Sequence, residues 1–346
     1  MSQTTMKQAI MTEPGKIVYQ QVPVPPVEPG QIKVRVKKIG ICGSDIHVNH
    51  GKHPYTGYPV VQGHEVSAEV VECGAGVTDF APGDKVTIQP QEVCGSCYPC
   101  THGMYNACES LKVMGFQTTG MASEFFVVDA SKALKLPDDM TFDHGAFIEP
   151  VAVAVHAIRR FGDGDITGKS ALVLGGGPIG NLLAQTCKAM GAANVLITEL
   201  SPHRLDVAKT CGIPATNPLK TDLKQAMAET FGPDGADVIF ECVGIQATVE
   251  QAVNYARKGS EIVIVGVFAD LCQVNLGFIQ DKELRMSGTA MYRVEDYVDA
   301  IRLVSEGLIE LDALITEHVP FDDFMRAYNI IDEQGDSTMK VIIDMD

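Results

Sequence analysis

Leu174-Gly175-Gly176-Gly177-Pro178-Ile179-Gly180 is the stretch that leaves this chain the fewest ways to fold. The apolar run Ala171–Leu174 enters it and a helix-forming run from Gly180 to Met190 leaves it, so the glycines join a strand to a helix. Their spacing, G-x-G-x-x-G, is that of a dinucleotide-binding turn. In such a turn Gly175 permits the tight reversal, Gly177 lets the backbone approach a pyrophosphate, and Gly180 lets helix and strand pack closely. The helix start at Pro178 and Ile179 directs N–H groups and a partial positive charge at phosphates. Glu199 ends the next strand, Val195–Thr198, 19 residues beyond Gly180. A carboxylate at that point binds both hydroxyls of an adenosine ribose and repels a 2′-phosphate, so NAD is expected over NADP. Arg204, on the following turn, softens that preference by stacking on adenine or meeting a phosphate.

The turn fixes the architecture around it. Strand-like runs Asp237–Phe240 and Glu261–Val265 alternate with helical runs Pro202–Thr210 and Gln246–Ala256. Near-continuous apolar strands of this kind belong to a buried parallel sheet with helices on both faces. Upstream, Lys16–Tyr19, Gln31–Val36, Glu65–Val71, Lys85–Ile88, Ser123–Val128 and Ala133–Leu136 are short and β-branched, with Pro- and Gly-rich breaks between them. The expected class is therefore α/β, a β-rich unit plus a doubly wound parallel-sheet unit. Glu149-Pro150 opens a helix over Val151–Phe161, and helices are expected over Val294–Glu306 and Phe321–Ile331 before a closing strand, Met339–Asp344.

The chain has 346 residues and a net charge of −17, which opposes nucleic acid and anionic membrane as partners, since both select clustered Lys and Arg. No run approaches the roughly 20 apolar residues of a membrane helix. The start, MSQTTMKQAI, has no signal-peptide pattern, so a cytoplasmic protein is expected. Of ten cysteines, Cys73, Cys187, Cys211, Cys242 and Cys272 stand apart in apolar surroundings and read as buried thiols. In contrast, Cys94, Cys97, Cys100 and Cys108 fall within one Gly-rich excursion, residues 91–112. Four thiolates at that density wrap tetrahedrally around a structural zinc with no open position. An iron–sulfur cluster is the competing reading, disfavoured by the seven-residue gap before Cys108 and by the lack of a following Pro. His102 is a spare donor. A second donor set, Cys42-Gly-Ser44-Asp45-Ile-His47 with Gly63-His64-Glu65, mixes thiol, imidazole and carboxylate, which suits a zinc that keeps one position open.

Gly63-His64-Glu65, the four-cysteine lobe and the glycine turn together resemble the zinc-dependent medium-chain dehydrogenase/reductase (alcohol dehydrogenase) family. The likeness spans essentially the whole chain and is nearest the sorbitol/L-iditol, sugar-acid and threonine dehydrogenase branch. It implies a GroES-like catalytic domain, residues 1–150 and 290–346, interrupted by a Rossmann NAD-binding domain, residues 151–289. It implies two zinc ions per chain and NAD. Cys42 and His64 correspond to ligands of the catalytic zinc, and Glu65 and Glu149 compete for the third protein position, with Glu65 preferred. Asp45 corresponds to the acid that orients His64. Ser44 would take the substrate proton and His47 would pass it on, a role suited to an imidazole of pKa near 6.5. Val243, Val265 and Val267, at the ends of later strands, are further expected cofactor contacts.

Substrate recognition is less constrained. Phe116 resembles a pocket-wall aromatic of that branch, though a core position is an equal reading. Tyr292 resembles the tyrosine that sorbitol dehydrogenases place after an arginine, yet Met291 precedes it here. Arg293 either reaches a substrate carboxylate or phosphate or caps a helix, and His50 and His53 read as loop-surface residues. A polyol and a sugar acid are both expected substrates; threonine and a butanediol-type secondary alcohol are alternatives. A non-catalytic zinc scaffold is the alternative of another class, and a zinc-free reductase is opposed by the donor sets. Assembly as a homodimer or homotetramer is expected, through the apolar strand Glu261–Val267 near the sheet edge.

Overall fold

The computed structural model describes residues 4–345. The chain separates into two compact units, Met1–Glu149 with Ile315–Asp346, and Pro150–Leu314. The expected α/β class with two sheets is what it adopts.

The first unit is built on the ten-residue strand Gln31–Gly40, which pairs antiparallel with Glu65–Cys73 along one edge. Its other edge is shared by Phe125–Asp129 and Lys340–Asp344, also antiparallel. Ile32, Val34 and Val36 alternate into the core and are fully enclosed, as a half-buried strand requires. Lys85–Ile88 and Ala133–Lys135 extend the sheet beyond Glu65–Cys73, and Ile315–Pro320 runs parallel to the closing strand. One register detail matters for the site: Gly40 lies opposite Glu65 on one side and Ile342 on the other.

The second unit holds a six-stranded, all-parallel sheet. Its spatial order is Ala215–Thr216, Asn194–Thr198, Ser170–Leu174, Val238–Glu241, Glu261–Ile264, Arg285–Gly288. The order in which strands are added reverses at Ser170–Leu174, and ligands bind at such a switch point in doubly wound sheets. The glycine turn begins there. Pro178 opens the following helix, Pro178–Ala189, where its missing N–H costs nothing. Ser201 caps Pro202–Thr210 by accepting the Arg204 N–H at 3.2 Å.

Three expectations change. Glu261–Ile264 does lie near the edge, but both its sides are already paired, with Val238–Glu241 and with Arg285–Gly288, so it is the latter that offers a free edge for association. Arg-Met-Ser-Gly carries a single apolar residue, so the pattern did not mark it as a strand; its parallel neighbour recruits it. Residues 290–314 cluster with the second unit rather than with the first. The helix Val294–Ser305 there buries Tyr297, Ala300 and Leu303, and Asp296 in its first turn meets His156 Nδ1 at 2.8 Å and the Arg159 guanidinium. Finally, of the five isolated cysteines only Cys187 is buried, while Cys73, Cys211, Cys242 and Cys272 are partly exposed.

Asp296 is almost wholly enclosed and also accepts the Arg293 N–H at 2.6 Å. Burial pushes its carboxyl up, but His156, the Arg293 N–H and Arg159 outweigh it and hold the group below the ordinary carboxylate range. Its stabilisation is therefore present above the unfolded value of about 4 and is lost as pH falls through the lowered native value. Asp296→Ala removes the acceptor that His156 Nδ1 shares with one arm of Arg159, whose other arm stays on Asp299 at 2.5 Å, and is expected to cost about 3 kcal/mol at neutral pH. Denaturant titration checks this, and the gap to wild type should narrow at acid pH.

Candidate active site

Cys42 precedes a short helix, Gly43–Asn49, and occupies its N-cap. Asp45, one turn in, accepts the Cys42 N–H at 2.9 Å, which fixes the loop and aims its other oxygen inward. That oxygen, Oδ1, lies 3.6 Å from His64 Nδ1 and accepts the Gln62 amide at 3.0 Å. His64 and Glu65 run from the Gly63 turn into the strand Glu65–Cys73. One donor atom each from Cys42, His64 and Glu65 falls within 4.8 Å of the others. His64 is 4% exposed and Glu65 1%, so this is an interior site that meets solvent through Cys42.

Both Glu65 oxygens are held by Lys340, Nζ lying 2.8 Å from Oε1 and 2.6 Å from Oε2. The same ammonium donates to the Ile41 carbonyl at 3.1 Å. Strand order explains the encounter, since Gly40 stands between the Glu65 strand and the Lys340 strand. A Cβ at Gly40 would sit 2.3 Å from Glu65 Oε2, so only glycine leaves the carboxylate room. Sequence reasoning missed Lys340; its one signal was a lysine opening a closing strand whose next three residues are all apolar. Glu149, 6% exposed, stands outside the 4.8 Å cluster but near enough for its charge to act on both His64 and Lys340.

The electrostatics favour a bound cation. Burial alone pushes His64 down, yet Asp45 and Cys42 raise it to about 10. Burial likewise pulls Lys340 down, while Glu65 and Cys42 more than restore it. Burial pushes Asp45 up, offset in part by His64 and the Cys42 N–H. Three buried carboxylates, Asp45, Glu65 and Glu149, thus surround one thiol, one imidazole and a single ammonium. A soft, divalent ion that takes sulfur, nitrogen and oxygen donors matches this set, and zinc is such an ion.

Ser44 and His47 lie three residues apart on Gly43–Asn49, on one face of the helix, Ser44 half-buried and His47 exposed. Phe116 packs on the cluster itself, its ring 4.8 Å from that of His64. His53 is not a loop-surface residue: half-buried, it stacks on Phe116 at 4.8 Å and 15°, and Thr56 Oγ1 meets its Nδ1 at 2.7 Å. His50 does stay at the surface, paired with Asp332 at 2.9 Å.

The four-cysteine lobe closes on its own. All four sulfurs lie within 4.8 Å, with Cys94 to Cys100 at 4.0 Å and Cys97 to Cys108 at 3.9 Å. A tetrahedron of zinc–sulfur bonds of about 2.3 Å has edges of about 3.8 Å, so the cradle has the right size. Backbone N–H groups of Cys94 and Ser110 point at Cys108, and that of Cys97 points at Cys94. The N–H donors of Ser96 and Cys97 draw the Cys94 thiol down to about 6, favouring the thiolate a metal needs. His102 faces the Tyr98 carbonyl instead.

In the second unit, Gly175 has φ +100°, and a Cβ at Gly180 would lie 1.9 Å from the Gly175 carbonyl oxygen, so turn and helix meet backbone to backbone. Glu199 folds onto this turn, accepting N–H groups from Gly176, Leu200 and Ser201 at 2.6–2.9 Å. Arg204 Nη1 comes within 3.8 Å of the position a Gly177 Cβ would occupy, over the same turn. Val243 and Val267 are exposed at neighbouring strand ends, and Val265 is half-buried between them. The unpredicted Glu241 ties these ends together: Oε1 accepts the Val243 and Gly244 N–H groups, and its carbonyl accepts those of Val265 and Gly266. Tyr292 is fully buried, edge-on to Tyr297 at 5.0 Å. Arg293 is the N-cap of Val294–Ser305.

Residues 28–138 match the alcohol dehydrogenase GroES-like domain, and residues 178–306 match the zinc-binding dehydrogenase domain. The chain is 34% identical to the 2-dehydro-3-deoxy-L-galactonate 5-dehydrogenase of Pseudoalteromonas atlantica, over 88% of each chain. It is 34% identical to the sorbitol dehydrogenase of Halalkalibacterium halodurans, over 98% of this chain and 99% of the other. The crystal structure of 2R,3R-butanediol dehydrogenase from Bacillus subtilis superposes with a TM-score of 0.90 at 32% identity, covering 99% of this chain and all of that one. With a GroES-like unit that carries two metal-sized donor clusters and a parallel sheet that carries the dinucleotide turn, the chain belongs to the zinc-dependent medium-chain dehydrogenases, a family of oxidoreductases.

Proposed function

We propose that this protein oxidises a secondary hydroxyl of a polyol or sugar acid to the ketone with NAD, or runs the reverse reaction, using a catalytic zinc held by Cys42, His64 and Glu65. The observation that carries this reading is the buried cluster of those three donors, with an ammonium already committed to the carboxylate. Polyol and sugar-acid relatives support the substrate class. When bound, the zinc supplies a Lewis acid for the substrate oxygen and the dinucleotide supplies the hydride acceptor. The chain's residues do the rest. Cys42 and His64 set the position of that ion, and Lys340 anchors Glu65 so that its carboxylate presents one preferred face. Glu149 supplies a second carboxylate nearby, acting by charge or through water. Ser44 accepts the substrate proton, and His47, exposed one turn later on the same helix face, delivers it to solvent. Phe116 walls the site with an apolar ring that limits water and favours a carbon chain.

Cys94, Cys97, Cys100 and Cys108 hold a structural zinc that orders a lobe with little core of its own. Pro178, Ile179 and the three glycines cradle the pyrophosphate, Glu199 selects the ribose of NAD, and Arg204 neighbours the phosphates. Val243, Val265 and Val267 contact the cofactor, and Tyr292 belongs to the substrate pocket. The domains read as a catalytic unit, residues 1–149 and 315–346, and a cofactor unit between them. Association of two copies through the edge strand Arg285–Gly288 gives a homodimer, and pairs of dimers a homotetramer. No helix among the described residues is long and apolar enough to cross a membrane, which supports a cytoplasmic location.

Two measurements test this. Metal analysis of the purified protein is expected to give two zinc per chain, falling to one in Cys42→Ala with the folded state retained; a Cys42→Ala protein that still holds two contradicts the catalytic site. Second, sorbitol, L-iditol, L-galactonate, L-threonine and 2,3-butanediol are assayed with NAD and with NADP. Turnover of a polyol or aldonate, at least tenfold better with NAD, is expected; threonine as the sole substrate, or a preference for NADP, overturns the corresponding part.

A further inference from the structure

We propose that Gln62 and Tyr328 are positioning residues for the zinc ligand His64, acting on it through Asp45. The four side chains form one buried chain: Tyr328 is wholly enclosed, Asp45 is 1% exposed, Gln62 3% and His64 4%. Tyr328 Oη donates to Gln62 Oε1 at 2.7 Å, and Gln62 Nε2 donates to Asp45 Oδ1 at 3.0 Å. The Cys42 N–H fills Asp45 Oδ2 at 2.9 Å.

The logic lies in the direction of the donors. A glutamine amide has an accepting end and a donating end, and a half-turn exchanges them. Reversed, Gln62 would set its carbonyl oxygen against the Asp45 carboxylate, acceptor against acceptor, among side chains that are all buried. The Asp45 carboxylate, an acceptor only, therefore fixes the orientation of the amide, and the Tyr328 hydroxyl donates to the oxygen left on its other side, holding it in place. Asp45 then receives one N–H on each oxygen, and what remains toward His64 is acceptor lone pair alone. His64 Nδ1 lies 3.6 Å from that oxygen and has no hydrogen-bond partner among the described residues, so the acceptor that faces it favours an N–H at Nδ1. Nε2 is left as the lone pair for a metal, which is how a carboxylate partner fixes the tautomer of a metal-binding histidine. No local pattern produces this arrangement. Tyr328 lies on the helix Phe324–Gln334, 266 residues from Gln62, where it packs edge-on against Phe324. The C-terminal helix thereby reaches the metal site through a hydrogen-bonded chain as well as through packing.

The inference rests on His64 being a zinc ligand, and the experiment separates the two. Tyr328→Phe deletes one hydroxyl and keeps the ring. Zinc transfer from the loaded protein to 4-(2-pyridylazo)resorcinol is followed in time, the four-cysteine site serving as the internal reference. Release of the catalytic zinc is expected to speed up about tenfold in Tyr328→Phe, with the reference phase unchanged. In an Asp45→Asn background the same substitution should add nothing, because the acceptor that Gln62 organises has changed. Gln62→Leu should reproduce the loss, and the Gln62→Leu/Tyr328→Phe double variant should be no faster than Gln62→Leu alone. An unchanged release rate in Tyr328→Phe, or an equal acceleration with and without Asp45, overturns the proposal, because packing alone would act equally in both backgrounds. A wild-type protein holding a single zinc overturns the ligand reading beneath it; two zinc ions with no effect of Tyr328→Phe overturn only the positioning role.

Discussion

The ion pair between Lys340 and Glu65 is the interaction on which the proposed metal site depends. Taking both charges out of water costs several kcal/mol per ion, and only close, fully hydrogen-bonded geometry recovers it. The geometry here is of that kind, with both carboxylate oxygens and the Ile41 carbonyl gathered on one ammonium. It exists because the closing strand Lys340–Asp344 lies beside Gln31–Gly40, which in turn lies beside Glu65–Cys73, with a glycine at the crossing point. The last thirty or so residues of the chain are therefore part of the metal site's foundation.

That foundation also sets the chemistry. A carboxylate with both oxygens shared with an ammonium has part of its acceptor capacity already committed, so it can border a metal without binding it too firmly to exchange. Asp45 plays the complementary part for His64, supplying negative charge to the ligand's far side. In the metal-free protein the result is an imidazole that holds its proton up to about 10. Metal must displace that proton, so binding and pH are linked, with tighter binding as pH rises.

The sequence announced those parts whose chemistry is contained in a short run. Gly175 to Gly180 and Cys94 to Cys108 each specify a local backbone, so spacing carried their reading, whereas Gly63-His64-Glu65 was assigned a role through the family resemblance. The α/β class followed from alternating strands and helices for the same reason. What stayed hidden was non-local. Lys340 looks like an ordinary alternating residue of a strand, and its partner is 275 residues away. Tyr328 reads as one more apolar position of a helix, and Gln62 as a loop residue. His53 was read as surface because nothing in the sequence says that Phe116 will fold beside it. The second boundary was expected at residue 290, whereas the compact unit runs on to Leu314, because the contacts that hold Val294–Ser305 run to His156 and Arg159, more than a hundred residues earlier. The edge strand was missed because a parallel neighbour, not its own composition, makes Arg285–Gly288 a strand.

Lys340→Met tests the central claim most directly, since it keeps the length and apolar stem of the side chain and removes the charge. Unfolding by denaturant is measured for wild type and variant, each with its catalytic zinc bound and after that zinc is removed. Glu65 should be left as an uncompensated buried carboxylate in the metal-free variant, a loss of about 3 kcal/mol. With zinc bound the loss should shrink to about 1 kcal/mol or less, because the freed carboxylate gains the ion as its partner. An equal loss with and without zinc, or none in either, would contradict the account.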